Sequence, residues 1–238
     1  MNSLKIGHKI LTLFYREIDS NLKLILKQKL AGLTVQDSLD NARITRIVYG
    51  TIRWDIQISH ILSILSRIKI SKIEPDTLVL LKMGLFLLRF SDSMPDYAVL
   101  NEIVSLAPKR SRGFINGILR SYLRQQQDIS RGIQNGPLAI RHAMSETLIN
   151  SARPLMDDPE PLLSYLNREP VFHLKRSPQK RTGIKPVQLD PPLPYLEGLD
   201  CFEMVKSGPL IQQAINRGEF YIQNSGSQLI AIIAAHYA

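Results

Sequence analysis

Through most of the first half of the chain, apolar residues recur every three or four positions, the spacing of one face of an α-helix. Ile6, Ile10, Leu13 and Phe14 mark a first helix, and Leu22–Leu30 a shorter second. Ser38 or Asp40 can cap a third, running to about Trp54 with Ile44, Ile47 and Val48 inward. Ile58–Leu65 is a fourth. Pro75 suits the first position of a fifth, which ends at Phe90. Its string TLVLLKMGLFLLRF is apolar nearly all round and predicts the central, buried helix. A sixth, Asp96–Ala107, puts Val99, Ile103 and Leu106 on one face. A seventh, from Ser111 to about Gln125, turns Phe114, Ile115, Ile118, Leu119 and Tyr122 inward. No convincing strand precedes residue 165. The pattern predicts a mainly α chain that opens with a seven-helix bundle.

The pattern changes near residue 128. Three prolines precede it and eleven come after, so the second half has to be mixed or loop-rich. Asp128–Pro137 (DISRGIQNGP) is polar and reads as linker. Beyond it, Met144–Met156 and Pro159–Leu166 look helical, and Gly208-Pro209 precedes a further helical stretch to about Asn216. Val171–Lys175, Cys201–Lys206 and Glu219–Gln223 are short and β-prone. Ser225 can cap a last apolar helix, whose Ile230, Ile232 and Ile233 are expected to be exposed. The predicted organisation is a helical domain over 1–127, a linker over 128–143 and a small α+β domain over 144–238.

Charge sharpens this division. The net charge is +9, but residues 1–130 carry 19 Lys/Arg against 11 Asp/Glu, and residues 131–238 carry 11 against 10. A basic field concentrated on one half is the footprint of a polyanion binder, or else an inert basic surface. No apolar run reaches the roughly 18 residues a membrane helix needs, and the N-terminus lacks the continuous apolar stretch of a signal peptide. A single cysteine, Cys201, fits a reducing, cytoplasmic setting.

Two basic constellations stand out. Arg43, Arg46, Gly50 and Arg53 lie at helical offsets that share one face. The glycine costs that helix about 1 kcal/mol against alanine, so the close approach of a neighbouring backbone is expected there. Lys109, Arg110 and Arg112 cluster at the start of the last bundle helix, and Asn116, Arg120 and Arg124 continue from Arg112 in steps of four. Either set can face RNA phosphates or form a solvated stripe. Lys5 and Lys9 on the first helix complete the candidate RNA-binding residues. Asn101 and Glu102, inside an apolar run, are expected to be buried and to tie their helix to its neighbours.

Signals of catalysis are missing. No glycine-rich loop comes after a strand, so there is no nucleotide, dinucleotide or S-adenosylmethionine fingerprint. The five histidines have no metal-ligand spacing. Cys201 lies beside Asp200 and Glu203, which disfavour a thiolate nucleophile.

Four strings in order, ITRIVYGTIRW (44–54), LLKMGLFLLRF (80–90), MPDYAVLNEIVSLAPK (94–109) and RGFINGILR (112–120), resemble the NusB family of all-helical RNA-binding domains. The segment 140–176, with His142, Asn167, Pro170 and Leu174, is similar to the stretch C-terminal to that domain in RsmB-type 16S rRNA cytosine-5 methyltransferases. Lys175 stands where arginine is usual, and Ser177 where the family favours asparagine. GEFYIQNSGSQ (218–228) resembles a later family stretch, with Asn224 in place of aspartate. The resemblance implies an RNA partner, 16S rRNA. In the NusB branch it also implies a ribosomal or transcription protein, as in antitermination. The family's cofactor loop would come after Ala238, so recognition without chemistry is expected, with no cofactor in this chain and S-adenosylmethionine bound in a further domain.

Overall fold

In the computed structural model, residues 3–16, 21–31, 38–91, 94–168, 172–177, 179, 201–204 and 209–237 are described. The chain forms two compact units, Met1–Asn167 and Arg168–Ala238.

Among its described residues the regular structure of the first unit is all helical. Its helices are α1 (Ser3–Arg16), α2 (Leu22–Leu30), α3 (Ser38–Arg53), α4 (Asp55–Leu65), α5 (Pro75–Phe90), α6 (Asp96–Leu106), α7 (Lys109–Gln134), α8 (Leu138–Arg141), α9 (Glu146–Ala152) and α10 (Glu160–Leu166). The seven expected bundle helices are α1 to α7. Pro75 occupies the first turn of α5, where its missing N–H is harmless. Every residue from Val79 to Leu88 is buried, and α5 packs against α1, α3, α4, α6 and α7.

That burial includes a cation. Lys82, only 6% exposed, sits 2.5 Å from Asp55, which also accepts a 2.7 Å hydrogen bond from the Tyr15 hydroxyl. Burial and the adjacent Asp55 carboxylate push that hydroxyl's pKa far above its ordinary value. A second polar tie joins four helices. Arg89 donates to Gln57 and Ser130, and Gln57 donates to the carbonyls of Ile140 and Arg141.

The segment expected as a linker, 128–143, is helical for most of its length, and this corrects the sequence-based organisation. Buried Ile129 and Ile133 continue the inward face of α7, and the helix stops only at the turn formed by Asn135, Gly136 and Pro137. A second apolar cluster, Ala139, Ile149 and Leu163, then joins α8, α9 and α10. The helical unit therefore runs to Asn167 rather than to 127.

The second unit contains β1 (Phe172–Arg176), β2 (Cys201–Met204), α11 (Pro209–Asn216), β3 (Phe220–Ile222) and α12 (Ser225–Tyr237). The strands form an antiparallel sheet in the order β2-β1-β3, with Leu174 opposite both Phe202 and Ile222. Gly218 ends α11 with φ 70°. The Gly218 N–H reaches Ile215 O and the Glu219 N–H reaches Ala214 O, the hydrogen-bond pair of a glycine C-cap. Asn224 accepts from the Gly226 N–H at the start of α12. An aspartate would accept the same bond, so the substitution keeps the cap. Ile230 and Ile233 are exposed, as expected, while the side chain of Ile232 lies outside the described set.

Candidate nucleic-acid interface

The α3 face is less uniform than its spacing implies. Arg46 and Arg53 are exposed. Arg43 is half-buried and donates to Met94 Sδ at 2.7 Å. Gly50 makes room for a side chain, not for the backbone that was expected. A Cβ there would stand 2.1 Å from the Phe86 ring. Phe86 and Phe90 stack, and Phe90 stacks on Trp54 at 4.3 Å between centroids, so α3 is locked to α5 by aromatic rings. Lys5 and Lys9 are exposed on α1.

On α7, Lys109, Arg110, Arg112, Arg120 and Arg124 are all exposed. Their partners differ. Arg110 forms a 2.9 Å ion pair with Glu74. Arg112 donates to Ala107 O at 3.0 Å and to Ser105 O at 3.4 Å, satisfying carbonyls at the end of α6. Arg120 reaches only one turn back, to Asn116 Oδ1 at 3.0 Å, and Arg124 only to Ser121 at 2.8 Å. Residues 109–127 contain these five cations and no Asp or Glu. The helix therefore presents a positive stripe with no acid of its own until Asp128.

The α6 side of this surface differs from expectation. Asn101 is exposed, not buried, and among the described residues its side chain has no hydrogen-bond partner. Glu102 is half-buried and partnered. The apolar run around them supplies Val99 and Ile103 to the core, which turns Asn101 outward. Asn101 and Ser105 on α6, with Arg112, Asn116 and Arg120 on α7, line a cleft of about 390 Å³ floored by Leu100 and Val104. The legible signal was two polar stripes at steps of four, Tyr97, Asn101 and Ser105 facing Arg112, Asn116 and Arg120, on consecutive helices joined by Ala107 and Pro108.

The residues singled out by resemblance in the later segment have structural partners. Buried His142 donates to Glu160 at 3.2 Å, Arg141 pairs with the same carboxylate at 2.5 Å, and Asn167 donates to His142 O. The hydrogen bonds from Arg141 and then His142 hold the Glu160 carboxyl below its ordinary value. Leu174 is the buried centre of the sheet, and Pro170 lies outside the described residues. Ser177 donates its N–H to Glu219 O at 2.9 Å, and a main-chain bond of that kind does not require asparagine. The Cys201 side chain also lies outside the described residues.

Among the described residues the sheet is antiparallel. Among them, no helix is long and apolar enough to cross a membrane.

A mainly helical unit with a basic α7 thus defines a helical-bundle domain with a cationic last helix. Residues 10–124 of the chain are a domain of the NusB family. The chain is similar to the probable ribosomal RNA small subunit methyltransferase B of Bacillus subtilis (strain 168), 29% identical over 106 residues, covering 43% of this chain and 23% of that protein. It is also similar to the same-named protein of Synechocystis sp. (strain ATCC 27184 / PCC 6803 / Kazusa), 25% identical over 152 residues, covering 60% of this chain and 34% of that protein. The transcription antitermination protein NusB of Lacticaseibacillus casei (strain BL23) is 33% identical over 58 residues, 23% of this chain and 43% of that protein. The chain therefore spans about a quarter to a third of the two methyltransferase relatives. The crystal structure of PH0851 shares the fold over 98% of this chain and 55% of that one, with a TM-score of 0.53 at 13% identity.

Proposed function

We propose that this chain is a cytoplasmic RNA-binding module. Its NusB-type domain docks on ribosomal RNA of the small subunit (16S) through phosphate contacts, as the recognition part of a cytosine-5 methyltransferase system. The supporting observation is the α7 stripe, five exposed cations in an acid-free run of 109–127. Guanidinium forks match phosphate oxygens, and such contacts position a protein on RNA without reading sequence. Methyl transfer is not part of the proposal for these residues; S-adenosylmethionine would bind in a further domain.

Arg112 is the wrong residue for a test, because it also satisfies the end of α6. Lys109→Glu, Arg120→Glu and Arg124→Glu together leave that tie intact. Binding of a small-subunit rRNA fragment is expected to weaken on the order of 100-fold at low salt, and the salt slope to shallow by about two to three units. Unchanged affinity overturns the reading. A second reading, a protein-docking factor in transcription antitermination, draws on the similarity to the Lacticaseibacillus protein of that name. It predicts affinity for a ribosomal or transcription protein with little salt dependence.

A further inference from the structure

We propose, independently of the RNA-binding reading above, that Asn135 is a site of spontaneous covalent modification. Its side chain deamidates through a cyclic imide, and the product loosens the join between α7 and α8.

The chain contains two Asn-Gly steps, Asn116-Gly117 and Asn135-Gly136. Asparagine is a thermolabile residue. It reacts fastest before glycine, because no Cβ shields the next main-chain nitrogen. The fold separates the two steps. Asn116 is half-buried within α7, and its Oδ1 accepts from Arg120 Nε at 3.0 Å. Attack by the Gly117 nitrogen would require opening the helix on both sides of it. Asn135 stands where α7 ends, with φ −89° and ψ 0°. Its side chain is exposed and has no partner among the described residues. The Gly136 N–H bonds to Ile133 O at 3.0 Å, at a helix end, where such bonds fray first. Once that bond opens, rotation about Cα–C of Asn135 carries the Gly136 nitrogen toward Asn135 Cγ. Asn150 and Asn224 precede serines, and each commits its Oδ1, to Arg153 and to the Gly226 N–H. Packing also keeps the reactive neighbour in place. A Cβ on Gly136 would stand 3.1 Å from Gly132 O and 3.2 Å from Ile133 O.

The chemistry needs only water. The Gly136 nitrogen gives its proton to solvent base and bonds to Asn135 Cγ, and the side-chain nitrogen leaves as ammonia. Water then opens the imide at either carbonyl, giving aspartate or isoaspartate. Nothing is oxidised or reduced. Either product puts a carboxylate at the C-terminal end of α7, where the helix dipole disfavours it. Isoaspartate also lengthens the main chain by one carbon between the residue's Cα and the Gly136 nitrogen. The bonds of this turn are spaced for the normal chain. Gly136 N–H reaches Ile133 O, Arg141 Nη2 reaches Gly136 O at 3.3 Å, and the Ile140 and Arg141 amides reach Pro137 O.

The test ages the full chain at mildly alkaline pH, with and without urea, and maps it by tryptic digestion and mass spectrometry. Cleavage at arginine releases 113–120 and 132–141, each with a single asparagine in an Asn-Gly step. In the folded chain 132–141 is expected to convert about tenfold faster than 113–120, and in urea the two should convert alike. Equal rates in the folded chain, or 113–120 ahead, overturn the site. A gap that persists in urea means that sequence alone sets the rates, and overturns the site as a feature of the fold. Hydrogen exchange then tests the consequence. The Ile140 and Arg141 amides should exchange faster in the aged chain than in the fresh one. They should not do so in aged Asn135→Gln, which keeps an exposed amide and should melt as wild type does. Unchanged exchange in the modified chain overturns the loosening.

Discussion

In Met1–Asn167 a lysine sits 6% exposed in the middle of the most deeply buried helix, α5, paired with one aspartate. In Arg168–Ala238 the buried apolar cluster among the described residues consists of Leu174, Ala214 and Phe220. The first unit surrounds α5 with buried side chains from five other helices, and this surplus of apolar burial offsets the cost of desolvating an ion pair. Among its described residues the second shows no such surplus, and small units bury a smaller fraction of their surface. The contacts there include the edge-on Phe202–Phe220 pair and the glycine cap of α11. Core size thus decides which kinds of defect each unit can tolerate.

The largest expected effect comes from this contrast. Phe220→Ala should cost about 3–5 kcal/mol, as large-to-small core substitutions do, and that is enough to open the small sheet. Hydrogen exchange at the Gln223 and Ser177 amides, which bond across the sheet to His173 O and Glu219 O, should become fast. Amides of α5 should stay protected. Equal acceleration in α5 would show that the units open together and that the contrast is false.

Overpacking tests the larger core. Gly50→Ala recovers about 1 kcal/mol of helix propensity, but it drives a methyl into Phe86, which is 3% exposed and stacked on Phe90. The net expectation is a loss of about 1–2 kcal/mol with the fold retained. Gly50→Ala with Phe86→Leu should recover most of it. A stabilised single variant in a denaturant melt would show that the core has slack at this point.

The same residues show how far the sequence can be read. The buried face of α5 was legible because ten consecutive buried residues leave little ambiguity in an apolar string. Gly50 was recognised as a packing position, but sequence gives no direction for the neighbour, which proved to be a ring rather than a backbone. Asn101 lies in an apolar run and still faces outward, because a helix has an outer face even where most of its neighbours are apolar. The end of α7 was missed because Asp128, Arg131 and Gly132 mask Ile129 and Ile133, two core positions at helical spacing. Of the candidate interface, the cations were visible from residue type and spacing. Which of them are already engaged, as Arg110 is by Glu74, depends on contacts far apart in sequence.

The smallest expected effect concerns Glu160, where the late helices of the first unit meet. Its carboxyl is held below the ordinary value of 4.5 in the folded chain, first by the hydrogen bond from Arg141 and then by that from His142. A depressed folded value means that the stabilisation is complete above the unfolded carboxylate value. It is lost as pH falls through the folded one, because protonation removes the charge that Arg141 and His142 face. Because Glu160 is exposed to solvent, the effect should be modest. Glu160→Gln should lower the melting temperature at neutral pH, and the gap to wild type should close as pH falls below the ordinary carboxylate value and through the lower folded one. Exchange at α8 amides should track the same curve while α5 amides do not. A gap that stays constant from neutral to acid pH would mean that Glu160 acts through packing, and that the join between α8 and α10 owes nothing to its charge.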